Sequence, residues 1–406
     1  FFASVECVER KLDPFKTDLV VADPSRGDGA ICLAISPKMK LRGIKNRCRM
    51  WEIPKNIHPI IAKPRMKKYR DYSIYINTIY LDYVNEEDWF AYSIDECFID
   101  ATPYLNYYKK TPKEFAKMLI EAVYKKTGIT AAAGIGTNMY LAKIALDITA
   151  KHSQDNIGYL DENLYKEQLW HHTPLTDFWQ IGKGIERRLF NLHLKDMFDI
   201  SKCEESLLYK EFGINAEILI DHSKGIEPCT IKDVKEYKPK SNSISNTHVL
   251  EKDYNFNEAR NILIEMVDNL ILDLVSKKKY ASTVSLYIGY TKDRIPPTKF
   301  SVKLEQATCS YSIILNKILS EYDFRVNQFI LIRRIGLFFC NLKDKLIEQL
   351  DLFSIHEISE KDLRIEMAMN EIKNKYGKNS ILRGLSFTEN ATQIKRNKLL
   401  GGHNAE

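Results

Sequence analysis

Tyr92 to Asp100 reads YSIDECFID and sets Asp95 and Glu96 side by side between two short apolar, β-prone runs. Neighbouring side chains on an extended strand point to opposite faces, so the two carboxylates can share a ligand only where the backbone turns. The flanks Tyr92–Ile94 and Cys97–Ile99 suit a hairpin with the acids at its apex. Hard oxygen ligands in that geometry favour Mg²⁺ or Mn²⁺, and a pair of such ions stabilises both the attacking and leaving oxygens of an in-line phosphoryl transfer. A solvated acidic turn would carry the same dipeptide, so the choice falls to the rest of the chain.

At 406 residues the chain exceeds a single ordinary core, and two to four domains are expected. Hydrophobic and charged contents of 44% and 28% are those of a soluble globular protein, expected in the cytoplasm. The longest apolar runs, such as Ile313–Leu315 and Phe329–Ile332, are short and polar-flanked, so no membrane span is expected. Phe1 is preceded by no methionine and opens no signal-peptide pattern, which suggests a true start further upstream. Cysteines at 7, 32, 48, 97, 203, 229, 309 and 340 form no CxxC pair and read as small buried residues in a reducing compartment. The doublet His171–His172 lacks further ligands at metal spacing, and zinc is not supported.

The net charge of +6 is unevenly spread: Lys38 to Arg70 holds twelve Lys or Arg residues against one acid, Glu52. Trp51, Pro54, Pro59, Pro64 and Tyr69 are interleaved there, which describes an irregular cationic surface suited to phosphates, or else a basic face with no ligand.

Outward from the hairpin, Phe1–Glu9 has helical character, and Leu19–Ala22 and Gly29–Ser36 read as strands around a turn. The basic, proline-rich segment runs to about Arg70, and order resumes at Tyr80. Thr111 opens a helix with Pro112 at its first position and Phe115, Met118, Leu119, Ala122 and Val123 on one face. Ile129–Ile135 is a strand, and Thr137 or Asn138 caps a helix to about Lys151 that buries Leu141, Ile144, Ala145 and Ile148. Lys143 and Asp147 lie on its adjoining face, where Lys143 could reach the acids or could be a plain surface lysine.

Asp161 to Thr230 is helical with loops. Within it Ile181, Gly182, Lys183, Gly184 and Ile185 (IGKGI) follow Trp179 and resemble the hairpin of a helix-hairpin-helix element, whose glycines let backbone N–H groups approach a phosphate. A helix-turn-helix with glycine for tight packing looks the same. Lys232 to Ser245 reads as a polar linker. Beyond it, strands near Ser245–Leu250, Ser282–Tyr290, Lys299–Leu304 and Phe329–Phe339, with helices near Asn257–Val275 and Tyr311–Glu321, form a second α+β domain carrying Arg333 and Arg334. Its loops add Lys277, Lys278, Lys279, Lys292 and Arg294, a distribution that favours a polyanion. Gln349–Phe353 (QLDLF) presents a compact apolar plug for a partner's pocket, or the end of a helix packed in cis. The remainder holds one helix, Lys361–Lys375, and a polar tail.

FFASVE at Phe1–Glu6, YSIDECFID, GIGTNMYLAKIALDITAK at Gly134–Lys151, the IGKGI segment, the linker, the second α+β domain and QLDLF, in this order, resemble the Y-family translesion DNA polymerases. The likeness spans essentially the whole chain and is closest to the UmuC, ImpB, MucB and SamB type in its Gram-positive form. It implies a right-hand polymerase of α+β class: palm at 1–8 and 72–157, small fingers at 9–71, helical thumb at 158–231, linker at 232–241, little finger at 242–341, and a clamp-binding motif and tail at 342–406.

The resemblance further implies DNA-directed synthesis past damaged bases by two-metal nucleotidyl transfer to a primer 3′-hydroxyl. Asp95 and Glu96 match the second acidic motif, which binds two Mg²⁺, or Mn²⁺, and helps activate that hydroxyl. Phe1 and Phe2 match paired aromatics beside the nucleotide, with Phe2 on the steric gate against a ribose 2′-hydroxyl. Lys143 and Lys40 match the lysines that meet the incoming triphosphate. Ile181, Gly182, Lys183, Gly184, Arg333 and Arg334 are candidate DNA contacts, and Gln349, Leu350, Asp351, Leu352 and Phe353 a candidate sliding-clamp motif. Primer–template DNA, deoxynucleoside triphosphates and a sliding clamp are the expected partners of a monomer. The family's first metal-binding aspartate falls four residues ahead of Phe1, outside this sequence, and Glu6 does not replace it. Pro37 stands where many relatives have a tyrosine near the triphosphate. With one ligand outside the sequence, the alternative is a non-catalytic, clamp-tethered DNA-binding protein.

Overall fold

The computed structural model describes residues 1–239, 242–291, 295–344 and 356–406. Gln349–Phe353 therefore lies outside the described residues, as do Lys240, Lys292 and Arg294. The chain forms two compact units, one of residues 1–237 with 403–406 and one of 238–402. Both mix helices and sheets, as an α+β chain should.

The first unit opens with α1 (Phe2–Glu9), whose Ala3, Val5 and Cys7 are buried against the fully buried β1 (Leu19–Val21). β1 pairs antiparallel with β2 (Ala34–Ile35) and parallel with β3 (Ile60–Ala62). Of the strand expected over Gly29–Ser36 only β2 forms, because Pro24–Arg26 winds into a turn of 3₁₀ helix and Ile31 bridges to Arg49 instead. α2 (Pro37–Leu41) seats Pro37 at a first-turn position where its missing N–H costs nothing.

The basic segment is more ordered than its composition suggests. β3 lies inside it, and α3 (Met66–Leu81) begins well before Tyr80, because Tyr69, Ser73 and Ile79 recur on one buried face. The acidic hairpin is β4 (Trp89–Ala91) against β5 (Cys97–Ile99), with Trp89 opposite Ile99 and Ala91 opposite Cys97. Tyr92–Ile94 is thus loop rather than strand. α4 (Thr102–Tyr108) leads to α5 (Pro112–Thr127), which starts with a Thr111–Glu114 capping box and buries Phe115, Leu119 and Val123.

The strand expected at Ile129–Ile135 is shorter and later, β6 (Ala133–Gly136), and pairs parallel with β7 (Ile157–Leu160). Asn138 caps α6 (Met139–Ile144) by accepting from the Leu141 N–H at 2.9 Å, and the helix continues as a π turn over Ala145–Thr149. A Cβ on Gly134 would lie 2.0 Å from the Ala142 carbonyl oxygen and one on Gly136 2.2 Å from the Ala142 nitrogen. These glycines let α6 press onto β6, and that approach fixes where Lys143 stands.

α7 (Glu162–Leu169), α8 (Lys183–Asn191), α9 (Met197–Lys202), α10 (Glu205–Phe212) and α11 (Ala216–Lys224) close around Leu175, Phe178, Ile181, Leu189, Met197, Leu208 and Leu219. The start of the expected linker is instead α12 (Ile231–Glu236), because Thr230 and Asp233 form a capping box.

In the second unit β8 (Ser243–Tyr254), β9 (Lys279–Tyr290), β10 (Thr298–Thr308) and β11 (Ile332–Cys340) form an antiparallel sheet ordered β10-β9-β11-β8. α13 (Phe256–Ser276) and α14 (Tyr311–Arg325) share its core through Ile262, Met266, Ile271, Ile314 and Tyr322. α15 (His356–Tyr376) matches the expected last helix, but the residues after it are no free polar tail. α16 (Gln393–Arg396) and its flanks fold onto α13, where buried Glu265 accepts from the backbone of Thr392 and Gln393 and from Arg396 at 2.9 Å. Charges at these spacings read as solvated until their partners are known.

Candidate active site

The acids sit at the end of a five-residue connection between β4 and β5. The N–H groups of Tyr92 and Ser93 both donate to the Glu96 carbonyl at 3.0 Å, which makes the turn that adjacent carboxylates require. The Ser93 hydroxyl donates to Asp95 at 3.0 Å and leaves that carboxylate otherwise facing solvent. Glu96 turns the other way, to Lys143.

Lys143, only 8% exposed, donates to both Glu96 oxygens at 2.9 and 3.0 Å and pairs with Asp147 at 3.2 Å. Burial pulls the ammonium pKa down, but hydrogen bonding to Glu96 and the charges of Asp147 and Glu96 outweigh it, and the net shift is upward. The lysine therefore stays charged. Its i,i+4 spacing to Asp147 is a local signal; its reach toward the acids was one of two open readings of the sequence, and its bond to Glu96, forty-seven residues away, needed the fold.

α1 brings its N-terminal end toward the same turn, where Phe1, Phe2 and Ile94 pack against one core cluster. Phe1 and Phe2 stand with ring centroids 5.9 Å apart, and Phe2 stacks on Tyr69 at 4.5 Å and 15°. Tyr69 is held in turn by donating to Glu6 at 2.7 Å, and Arg65 donates to the same carboxylate at 2.8 and 2.9 Å. Burial raises the Glu6 pKa, and these donors more than reverse it. Glu6 is thus engaged by Tyr69 and Arg65 and braces the ring that Phe2 stacks on. Tyr69 was legible only as an aromatic in a basic run.

Lys40 is exposed on α2, whereas its neighbours Lys38 and Arg42 are committed to Asp18 at 3.0 and 3.1 Å. The structure thus gathers Phe1, Phe2, Lys40, Asp95, Glu96 and Lys143 in one unit and leaves Lys40 and Asp95 the most accessible. Two carboxylates of hard oxygen chemistry fit a divalent ion of the Mg²⁺ kind. Among the described residues no group of three possible metal ligands forms.

β5 pairs only with β4 and β6 only with β7 among the described residues. Cys97–Ile99 of the one and Ala133–Gly136 of the other line a cavity of about 560 Å³, with Tyr80, Phe115, Leu119 and Leu146.

Gly182 caps α8 and Gly184 lies in its first turn; both have negative φ, and a Cβ on either would meet nothing within 4 Å. No internal packing contact therefore requires either glycine. On the second unit the helix-free face of the sheet carries Arg334, Tyr287 and Lys299 in register, since Gly289 faces Arg334 and Lys299 faces Tyr287. Arg333 sits where the pairing with β8 and β9 slips and donates to Asp253 at 3.0 Å. The arginine doublet is therefore split, one engaged and one open.

Residues 1–147 match the impB/mucB/samB family and residues 241–352 match the impB/mucB/samB family C-terminal domain. A putative UV-damage repair protein UvrX of Bacillus subtilis (strain 168) is 30% identical, over 99% of this chain and 95% of that protein. The chain belongs to the impB/mucB/samB family. DNA polymerase IV 2 of the same organism is 29% identical over 99% of this chain and 96% of that protein. Among solved structures a Y-family DNA polymerase chimera superposes with a TM-score of 0.59 at 19% identity, covering 85% of this chain and 98% of that one. The fold of this impB/mucB/samB member is thus a Y-family polymerase fold, and no helix among its described residues is long and apolar enough to cross a membrane.

Proposed function

We propose that this Y-family DNA polymerase carries out translesion synthesis by joining deoxynucleotides to a primer 3′-hydroxyl at the Asp95–Glu96 turn. The observation that carries this reading is the convergence of that turn with Lys143, Lys40 and the Phe1–Phe2 pair. Asp95 and Glu96 would hold Mg²⁺, two ions with Mn²⁺ able to substitute. When bound, such ions favour deprotonation of the attacking hydroxyl and stabilise charge on the leaving oxygen. Full-length similarity to a protein named DNA polymerase IV 2 favours the enzyme over the non-catalytic alternative.

The remaining work falls to the chain's own groups. Lys143 fixes Glu96 by a two-point hydrogen bond, and its positive charge, with that of Lys40, offsets the triphosphate. Phe2, braced by Tyr69, fills the space that a 2′-hydroxyl would need. Gly182, Lys183 and Gly184, preceded by Ile181, offer backbone N–H groups at the start of α8 to a DNA phosphate. Arg334, Lys299 and Tyr287 offer a sheet face to the duplex, while Arg333 supports that strand through Asp253. Residues 1–8 and 72–157 would serve as palm, 9–71 as fingers, 158–231 as thumb and 242–341 as little finger. Gln349–Phe353 would dock on a sliding clamp, and the enzyme would work as a cytoplasmic monomer.

Primer extension on damaged and undamaged templates with Mg²⁺ tests the assignment. Wild-type protein should extend both and Asp95→Ala neither; equal extension by Asp95→Ala would remove the site from this turn.

A further inference from the structure

Trp179 precedes the IGKGI hairpin, and its indole N–H donates to the Tyr92 hydroxyl at 2.9 Å. The two rings meet edge-on at 5.7 Å, and Phe98 of β5 packs against both, 5.6 Å from Tyr92 and 5.9 Å from Trp179. The other side of Trp179 lies parallel to His222 at 6.1 Å, and His222 stacks on Tyr140 at 3.9 Å. Tyr140 and Lys143 are on the same helix, α6. Lys143 then closes the loop, with its ammonium 5.7 Å from the centre of the Tyr92 ring and hydrogen-bonded to Glu96, four residues after Tyr92.

Side-chain contacts thus run from Tyr92 through Trp179 and His222 to Tyr140, the backbone of α6 carries the path on to Lys143, and Lys143 returns it to Tyr92 and Glu96. A closed path of this kind has fewer ways to distort than a lone hairpin loop. The Lys143 bonds hold the Glu96 end of the turn, whereas Tyr92 at the other end is 41% exposed, so packing around its ring is incomplete. The directional bond from Trp179 supplies what packing lacks. Trp179 is also two residues before Ile181, so whatever seats the IGKGI hairpin on DNA also sets where that indole points.

We propose that Trp179 and Tyr92 are positioning residues, which tie the phosphate-binding hairpin to the catalytic turn so that duplex engagement fixes the Asp95 and Glu96 carboxylates. The proposal rests on the polymerase reading above. It assigns neither residue contact with the reacting atoms. Displacement of catalytic groups by about 1 Å costs up to roughly a hundredfold in rate, so loss of one tether should slow chemistry without releasing substrate.

The test is single-turnover incorporation of one matched nucleotide by full-length protein with Mg²⁺, with duplex affinity measured separately. Tyr92→Phe keeps the ring and removes only the acceptor oxygen, and is the cleaner probe; Trp179→Phe keeps an aromatic but removes the donor together with the indole's second ring. Each should lower the incorporation rate about tenfold while primer–template affinity stays within about twofold, and the double variant should be no slower than the worse single one. Unchanged rates in both singles overturn the proposal, as do losses confined to DNA affinity, losses that multiply in the double variant, or a lower melting temperature at full rate. Asp95→Asn is the separate control. If it retains activity the polymerase site is misplaced, whatever Tyr92 and Trp179 do.

Discussion

Lys143 holds both oxygens of Glu96, at 2.9 and 3.0 Å, from a position that is almost fully buried. A lysine so placed orients a carboxylate and, in the function proposed above, would set a positive charge beside the triphosphate. Lys143→Met should therefore reduce nucleotide incorporation at least about thirtyfold, since hydrogen bonds to charged groups contribute about 1.5–3 kcal/mol each. It should also lower thermal stability, because Glu96 and Asp147 would then face one another without a counter-charge. Lys143→Arg keeps the charge but brings a planar fork to a site shaped for a point donor, and should fall between the two. Steady-state kinetics and melting curves of the three proteins check this, and an unchanged incorporation rate in Lys143→Met would count against its role.

Gly182 and Gly184 should separate stability from binding. Gly184 lies inside the first turn of α8, where alanine is favoured over glycine by about 0.5–1 kcal/mol, and nothing obstructs a methyl group there. Gly184→Ala should thus be as stable as wild type or more so, yet bind primer–template several-fold more weakly. Gly182→Ala, at the N-cap where glycine is favoured over alanine, should weaken DNA binding likewise but at a modest cost in stability. Paired melting and DNA-titration curves decide it; weaker folding with unchanged DNA affinity would return these glycines to a packing role.

The same glycines mark how far the sequence could be read. Local signals were sufficient where one segment carries its own instructions: Thr111 and Pro112 announced α5, Thr137 or Asn138 announced α6, and the runs of the second domain located β8 to β11, although Ser245–Leu250 covers only half of β8 and Lys299–Leu304 stops short of the end of β10. Asp95 and Glu96 were legible as a pair for a similar reason. α3 was hidden because its buried residues are polar or aromatic and its first turn is basic, so composition outweighed periodicity. The order of residues 377–402 was hidden because Arg383 and Arg396 gain partners from α13, Asp268 and Glu265, more than a hundred residues earlier, and Arg383 a further one from Glu366 of α15. Trp179 was visible beside IGKGI, but its hydrogen bond to Tyr92 spans eighty-seven residues, and no spacing rule reaches that far.

Phe2 and Tyr69 stack nearly parallel, and Tyr69 is fully buried with its hydroxyl fixed by Glu6. If Phe2 is the gate, its strictness depends on that backing. Phe2→Ala should raise ribonucleotide use relative to deoxyribonucleotide use by about a hundredfold or more, the scale on which a shaped site rejects one added group. Tyr69→Phe, which keeps the stacking ring, should leave the ratio near wild type and cost only the buried hydrogen bond to Glu6, about 1–3 kcal/mol. Competition assays with matched ribo- and deoxyribonucleotides report the ratio. A gate residue elsewhere would leave the Phe2→Ala ratio unmoved.

Glu366 gives the second unit a dependence on pH. Burial pushes its carboxyl up from 4.5 to about 7; Arg383 pulls it down in part, and the charges of Asp268 and Asp362 push it further up. Arg383 bonds both Glu366 and Asp268, and one Glu366 oxygen is buried without a hydrogen-bond partner. Because the folded-state pKa lies above the unfolded one, the native protein binds the proton more tightly. The favourable contribution is complete below about pH 4.5, declines as the pH rises, and is gone above about 7, where both states are ionised. The size is on the order of 3 kcal/mol across that window, because a tenfold difference in proton affinity between folded and unfolded states is worth about 1.4 kcal/mol. Other carboxylates tilt the wild-type curve the opposite way, Glu6 among them, so the informative quantity is the difference between wild type and Glu366→Gln. That difference should move in favour of the glutamine variant as the pH rises through the window, read as hydrogen exchange of the buried α13 amides. Parallel curves for the two proteins would show that Glu366 is ionised in the native state throughout.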